Sequence, residues 1–297
     1  MNKKGFAVMF SWIFAMIAGV IILLSLVYFS VQHTDLFGRV SAQVAVEELD
    51  ITFGSLKSSL IGTTLELGKP IKLEFKCNED TLEKEKLYIN KKAGKSLKGK
   101  VVFAPSELKS NSFSLFTLDW NVPFKVTNFI FLTDKKYNFE GVIPLGLLEK
   151  IPSNIDIIDP YGEEISFEES ENGNCMDNSG KKIFYKKQDT LGEYYGKICF
   201  DETVYTFVGD AMIFAAIFSD ENNFKCLKDY AEIKARDVAE IYAKKIENFA
   251  SSPHSCAVMG INSEWVREVD FNVMESVKEI KQTNDRLVRI GECELIF

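Results

Sequence analysis

The sequence predicts an α+β protein in three parts: a single N-terminal transmembrane helix, a β-rich extracytoplasmic domain, and C-terminal helices packed on that domain. Three observations predict it. Residues 6–29 are almost wholly apolar, and no charged side chain occurs between Lys4 and Asp35. Between about residues 63 and 208, short apolar or alternating stretches are broken by turn residues, the pattern of strands. From Asp210 onward the apolar spacing lengthens to three and four, the period of helices. The expected divisions are a tail or leader at 1–5, the membrane helix at 6–31, a helical stalk at 32–62, the β-rich part at 63–208 and the helical part at 209–297.

The first element follows from length and composition. Residues 6–29, as a helix, extend about 36 Å against a hydrocarbon core of about 30 Å. The interruptions are only Ser11, Gly19 and Ser25. Leu, Ile, Val and Phe dominate, and at about −0.3 to −0.6 kcal/mol each they favour insertion by several kcal/mol. The run is too long for a cleavable secretory signal and lacks the polar face of a core helix. Lys3 and Lys4 precede it, and Asp35 is the first charge beyond it. The basic side stays inside, which predicts a cell-membrane location with the N-terminus cytoplasmic and the bulk of the chain outside.

Lys3-Lys4-Gly5-Phe6, followed directly by the hydrophobic helix, resembles the class III signal peptide of archaeal type IV pilin-like proteins. The resemblance covers about the first thirty residues. It implies cleavage between Gly5 and Phe6 by a membrane peptidase and a mature helix that serves both as anchor and as filament-packing element. The glutamate usual in bacterial relatives five residues after the cut is replaced here by Phe10. An uncut signal anchor is the alternative reading of the same residues.

Past the membrane, Phe37, Val40, Val44, Leu49, Phe53, Leu56 and Leu60 recur mostly at steps of three or four, with polar residues between them. They predict a helical stalk running to about Ile61 and partly buried against the outer domain. Gly38 and Gly54 weaken it by about 1 kcal/mol each. Strands are expected at 71–77, 87–89, 101–103, 113–118, 124–132, 155–158 and 165–167. A hairpin is expected between 182–186 and 194–200, and a short helix near 145–151. Asp210 is expected to cap a helix at 211–218 that is apolar on every face and hence buried. A second helix, 225–249, carries Leu227, Tyr230, Val238, Ile241, Lys245 and Phe249 along one side. A third, capped by Ser263, carries the stripe Val266, Val269, Val273, Val277, Ile280, Asn284 and Leu287. Residues 294–297 are an edge-strand candidate.

Net charge is −8 overall, with 35 basic and 43 acidic side chains. Removing Lys3 and Lys4 leaves −10 for everything beyond the anchor, so nucleic-acid binding is not expected. Six cysteines, Cys77, Cys175, Cys199, Cys226, Cys256 and Cys293, fall in the part placed outside, where disulfides form. Cys175–Cys199 is the preferred bridge, because it closes a short loop across the hairpin. One pair among Cys226, Cys256 and Cys293 is expected to tie the helices together. Buried free thiols are the alternative.

Other constellations lead nowhere catalytic. Gly94-Lys-Ser-Leu-Lys-Gly99-Lys100 imitates a phosphate loop, but Val101 stands where Ser or Thr must hold magnesium. His254-Ser255-Cys256 has the composition of an interhelical loop. The acidic run from Glu163 to Asp177 matches no calcium-loop spacing. No catalytic residue, metal site or cofactor is predicted. The expected partners are the lipid bilayer and other membrane or filament subunits met through the N-terminal helix. The expected function is that of a single-pass, pilin-like surface protein with a structural, assembly or adhesion role. A membrane-anchored ligand-binding or sensing domain is the alternative, and a carboxylate-based hydrolase the third reading.

Overall fold

A computed structural model describes residues 3–56, 62–77, 85–170, 173–175, 180–189, 192–201, 203–250 and 262–289. Along the first helix it describes the side chains at 12, 14–29 and 42–56. That helix, α1 (Lys3–Leu56), is continuous. The stalk is therefore the same helix as the apolar run, with no linker between them.

Sheet A contains β1 (Thr63–Cys77), β2 (Glu85–Ile89), β3 (Ala93–Ser96), β4 (Val101–Phe103), β5 (Glu107–Asn121) and β6 (Lys125–Thr133), in the order β3-β2-β1-β5-β6-β4. Its neighbours run antiparallel except β4, which is parallel to β6. Sheet B contains β7 (Tyr137–Gly141), β8 (Glu163–Glu169), β9 (Lys181–Lys187), β10 (Tyr194–Phe200) and β11 (Thr203–Val208), in the order β11-β10-β9-β8-β7. Its β7-β8-β9 portion is parallel and its β9-β10-β11 portion antiparallel. The remaining helices are α2 (Leu145–Leu148), α3 (Asp210–Phe218), α4 (Glu221–Ala250), α5 (Ser263–Arg267) and α6 (Met274–Arg289). The class is α+β with two mixed sheets.

Sheet A is buried on both faces at β4 and along most of β6, and its sequence shows why. Along β4 and the next residue, Val101 and Phe103 enter one core while Val102 and Ala104 enter the other. Along β6, Phe129 and Phe131 alternate with Ile130 and Leu132 in the same way. Successive strand residues point to opposite faces, so a continuously apolar strand needs cover on both sides. One face meets Ala42, Val46, Leu49, Phe53 and Leu56 of α1. The other meets α3 and α4, with sheet B beyond.

The sheet also curls. Its edge strands β3 and β4 would stand about 24 Å apart if it were flat, at about 4.8 Å per strand. Yet residues 97–100 alone join them, and five Cα steps reach at most about 19 Å. Glu85 on β2 closes the gap, its Oε2 accepting from the Val102 amide of β4 at 3.2 Å. The concave side of this trough holds α1.

α3 lies wholly buried between the sheets. Phe214 and Phe218 meet Phe116 and Phe131 of sheet A, and Phe218 also meets Tyr137 of sheet B edge-on at 5.2 Å. This explains a helix apolar on every face. Asp210 is not its cap, as the sequence led one to expect. Gly209 occupies that position at φ 97°, and a Cβ there would come within 2.8 Å of Val122. Asp210 is the first helical residue, and its amide donates to Glu193 Oε2 at 3.2 Å. At the other end Lys181 Nζ donates to the Ile217 carbonyl at 3.1 Å. Each end of the buried helix thus meets the charge its dipole favours.

Other expectations need correction. The buried side of α4 is Leu227, Ala231, Ala235, Ala239, Ala243 and Ile246, whereas Ile241 is 65% exposed. Alanines bring the helix axis close to the sheet, and a pattern weighted by large side chains misses them, although Leu227 belongs to both sets and Tyr230 and Val238 pack against the same core. In α1, Val46 is buried and Val44 exposed. The single C-terminal helix is two, α5 and α6. Asp270 breaks it by accepting from the Asn272 amide at 2.9 Å, while its own amide donates to Ser276 Oγ at 3.1 Å. The cap of α5 is Asn262, which accepts from Glu264, not Ser263. Residues 155–158 form no strand. They lie irregularly along β7, with Tyr137 donating to Asp156 at 2.9 Å and Phe139 to Ile157 at 3.1 Å. Asp156 Oδ1 folds the backbone locally by accepting from Ile158 at 3.2 Å. Residues 294–297 are outside the described part.

Candidate functional site: a projecting apolar helix and the sheet that grips it

The grip begins with steps of three and four along α1. Ala42, Val46, Leu49, Phe53 and Leu56 make one stripe, and sheet A supplies Leu73, Phe75, Leu87, Ile89, Phe113, Leu115, Ile130 and Leu132 against it. Ionic contacts lock the rim. Lys95 of β3 pairs with Asp50 at 3.0 Å and also with Glu47. Lys100, in the β3–β4 connection, pairs with the Asp50 carboxylate and donates to its backbone carbonyl at 2.8 Å. Burial alone would raise the Asp50 pKa, but hydrogen bonds from Lys100 and Lys95 outweigh it and hold the carboxyl below its ordinary value.

Glu85 behaves oppositely. Burial pushes its carboxyl well above the ordinary glutamate range, with the Val102 amide pulling weakly the other way. Its Oε1 has no hydrogen-bond partner among the described residues. A protonated carboxyl suits this position, because among the described residues no cation pairs with it.

On the other half of α1 the described side chains are largely exposed. Trp12, Phe14, Ile17, Ile21, Leu24, Tyr28 and Phe29 are all more than half exposed, and at least one apolar residue points in every direction around the axis. Monomeric proteins rarely leave a contiguous apolar surface of this kind exposed to water. Among the described residues no helix is long and apolar enough to cross a membrane. The unbroken run of described side chains in this half, residues 14–29, amounts to about 24 Å of helix. Gly5 and Phe6 lie in the first two turns of α1, with helical backbone on both sides of their peptide bond.

The cysteines sort as follows. Cys175 is bonded to Cys199, closing a segment of 24 residues around β9. Cys226 is bonded to Cys77, which ties α4 to the end of β1 and leaves Cys256 and Cys293 as the remaining pair of the three C-terminal cysteines. The two residues are 149 apart in sequence, which is why no local pattern points to the pair. Cys256, Cys293 and the His254-Ser255-Cys256 stretch fall outside the described residues.

Of the acidic run, Glu163 pairs with Lys135 and Lys181 at 2.6 Å each, and Glu168 with Lys182 at 3.3 Å. Glu163 and Glu168 are thus held by separate lysines. Among the described residues no group of three or more metal-binding side chains comes together. Asp177 lies outside them. Lys95 and Lys100, noticed as members of a failed phosphate loop, are the rim of the helix grip. The grip residues Glu47, Asp50 and Glu85 went unnoticed, because their partners are 17 to 50 residues away. The one local sign was a Glu47–Asp50 pair, three apart, breaking the apolar pattern of the stalk.

Glu193 and Asp210 are the two carboxylates that come closest to an acid–base pair. Burial and the Asp210 charge raise the Glu193 pKa, while Asp210 is paired with Lys150 and accepts from the Tyr194 amide at 3.2 Å. Both are engaged in closing the start of α3. Comparison with protein-family models, curated proteins and solved structures finds no match to this chain.

Proposed function

We propose that this protein is a single-pass, membrane-anchored surface protein of pilin-like design, with a structural, assembly or adhesion role. The observation that supports it is the division of one continuous helix: its C-terminal part is gripped by sheet A, and its N-terminal part is bare and apolar all round. Lipid or neighbouring apolar helices satisfy such a surface, and water does not. The uncharged run from Phe6 to Phe29 is long enough to span a bilayer as a helix, and Lys3 and Lys4 hold its start on the cytoplasmic side. The two disulfides agree with an oxidising compartment for the head.

In this reading the grip has a mechanical purpose. A head joined to its anchor by a flexible linker would transmit neither position nor load. A helix running unbroken from the anchor into the sheet fixes the head rigidly relative to the membrane or to a filament axis. N-terminal sequencing of protein purified from native membranes tests the pilin-like part. A chain beginning at Phe6 supports processing and assembly, whereas an intact Met1 reduces the protein to a plain signal anchor.

A further inference from the structure

β4 is short, and its ladder with β6 covers only Phe129 to Phe131. On the near side the chain turns away, with Gly99 at φ 74° and the Lys100 amide donating to Leu97 at 3.0 Å. Residues 125–128 of β6 therefore have β5 on one side and, among the described residues, no strand on the other. α4 forms the opposite wall of an open groove of about 400 Å³. That volume lies within the range of small-molecule sites.

The groove wall on α4 carries two opposite charges, Lys234 and Asp237. Lys234 is part-buried, and among the described residues its ammonium meets the Gly99 carbonyl at 3.5 Å and the Tyr230 ring at 4.9 Å. Burial lowers its pKa, with the Asp237 charge acting the other way. Among the described residues neither Lys234 nor Asp237 forms an ion pair. Residues three apart on a helix carry their Cβ atoms about 5–6 Å from one another, so the two side chains leave the helix side by side, the Lys234 ammonium leaning back over Tyr230. Lys125, also at the groove, is already paired with Asp119 at 2.9 Å. Val126 and Val238 supply apolar surface beside them.

We propose that this groove binds a zwitterionic α-amino acid with an apolar side chain. Its carboxylate meets Lys234, its ammonium meets Asp237, and its side chain lies against Val126 and Val238. The proposal does not rest on the membrane reading. Equilibrium dialysis of the full-length protein in detergent micelles with labelled leucine tests it, using leucinamide and N-acetylleucine as competitors. Leucine should bind saturably, and each competitor, lacking one charge, should bind at least about tenfold more weakly, the loss expected for one charge-assisted contact. Lys234→Met should weaken leucine by about the same factor. Asp237→Asn, at an exposed helical position, should weaken leucine while strengthening N-acetylleucine. The absence of saturable leucine binding overturns the proposal. So does leucinamide or N-acetylleucine competing as well as leucine, or leucine affinity unchanged in either folded variant.

Discussion

Glu85 and Asp50 sit on the same seam between sheet A and α1 and respond to pH in opposite senses. Glu85 has a folded pKa raised by burial above its unfolded value of about 4.3. Its contribution to stability is complete below that unfolded value and declines as pH rises toward the folded one. Urea melts at pH 5 and pH 8 should show the wild type losing stability that Glu85→Gln retains, since glutamine still accepts from the Val102 amide. Asp50 has a folded pKa below its unfolded value of about 3.9, so its contribution is present at neutral pH and disappears as pH falls through the folded value. Asp50→Asn should cost about 1–2 kcal/mol at pH 7, discounted for partial exposure, and progressively less as pH falls through the folded pKa. The same melts report both variants.

Among the elements, α3 is the hub of the larger core. Phe131 of β6 touches the rings of Phe103, Phe116, Phe129, Phe214 and Phe218, all within 6.4 Å. Phe131→Ala should cost about 3–5 kcal/mol in a denaturant melt, because a rigid aromatic cluster relaxes little into the cavity. Replacing Cys77 and Cys226 by serine should cost about 2–4 kcal/mol, given the long segment the bond closes, and should remove part of the sensitivity of the melt to reductant. The elements differ in how far the sequence exposed them. β4, the β9–β10 hairpin and α3 were legible because each carries its whole signal locally: an apolar triplet, a polar turn between alternating runs, an all-apolar octet after an acid. β3, β7 and β11 were missed. β3 consists of Ala93-Gly94-Lys95-Ser96 and looks like a turn, and only pairing with β2 makes it a strand. β7 is held by parallel pairing to β8 across more than twenty intervening residues. The alanine face of α4 was illegible for a different reason, since small side chains carry little hydrophobic signal while allowing the closest packing.

At the scale of the molecule, one helix joins two environments. Residues 42–56 lay one stripe, Ala42, Val46, Leu49, Phe53 and Leu56, against a curled sheet, and the apolar side chains of residues 14–29 are largely exposed. Neither half of the candidate site was wholly visible in the sequence. The apolar run was plain, whereas the grip depends on Lys95, Lys100 and Glu85 reaching α1 and β4 across the fold. Alkaline carbonate extraction of native membranes, with the protein followed by immunoblot, tests the anchoring claim most directly. The account predicts that the full chain stays in the pellet and that a chain lacking residues 1–29 is released. Release of the full chain into the carbonate supernatant would contradict it.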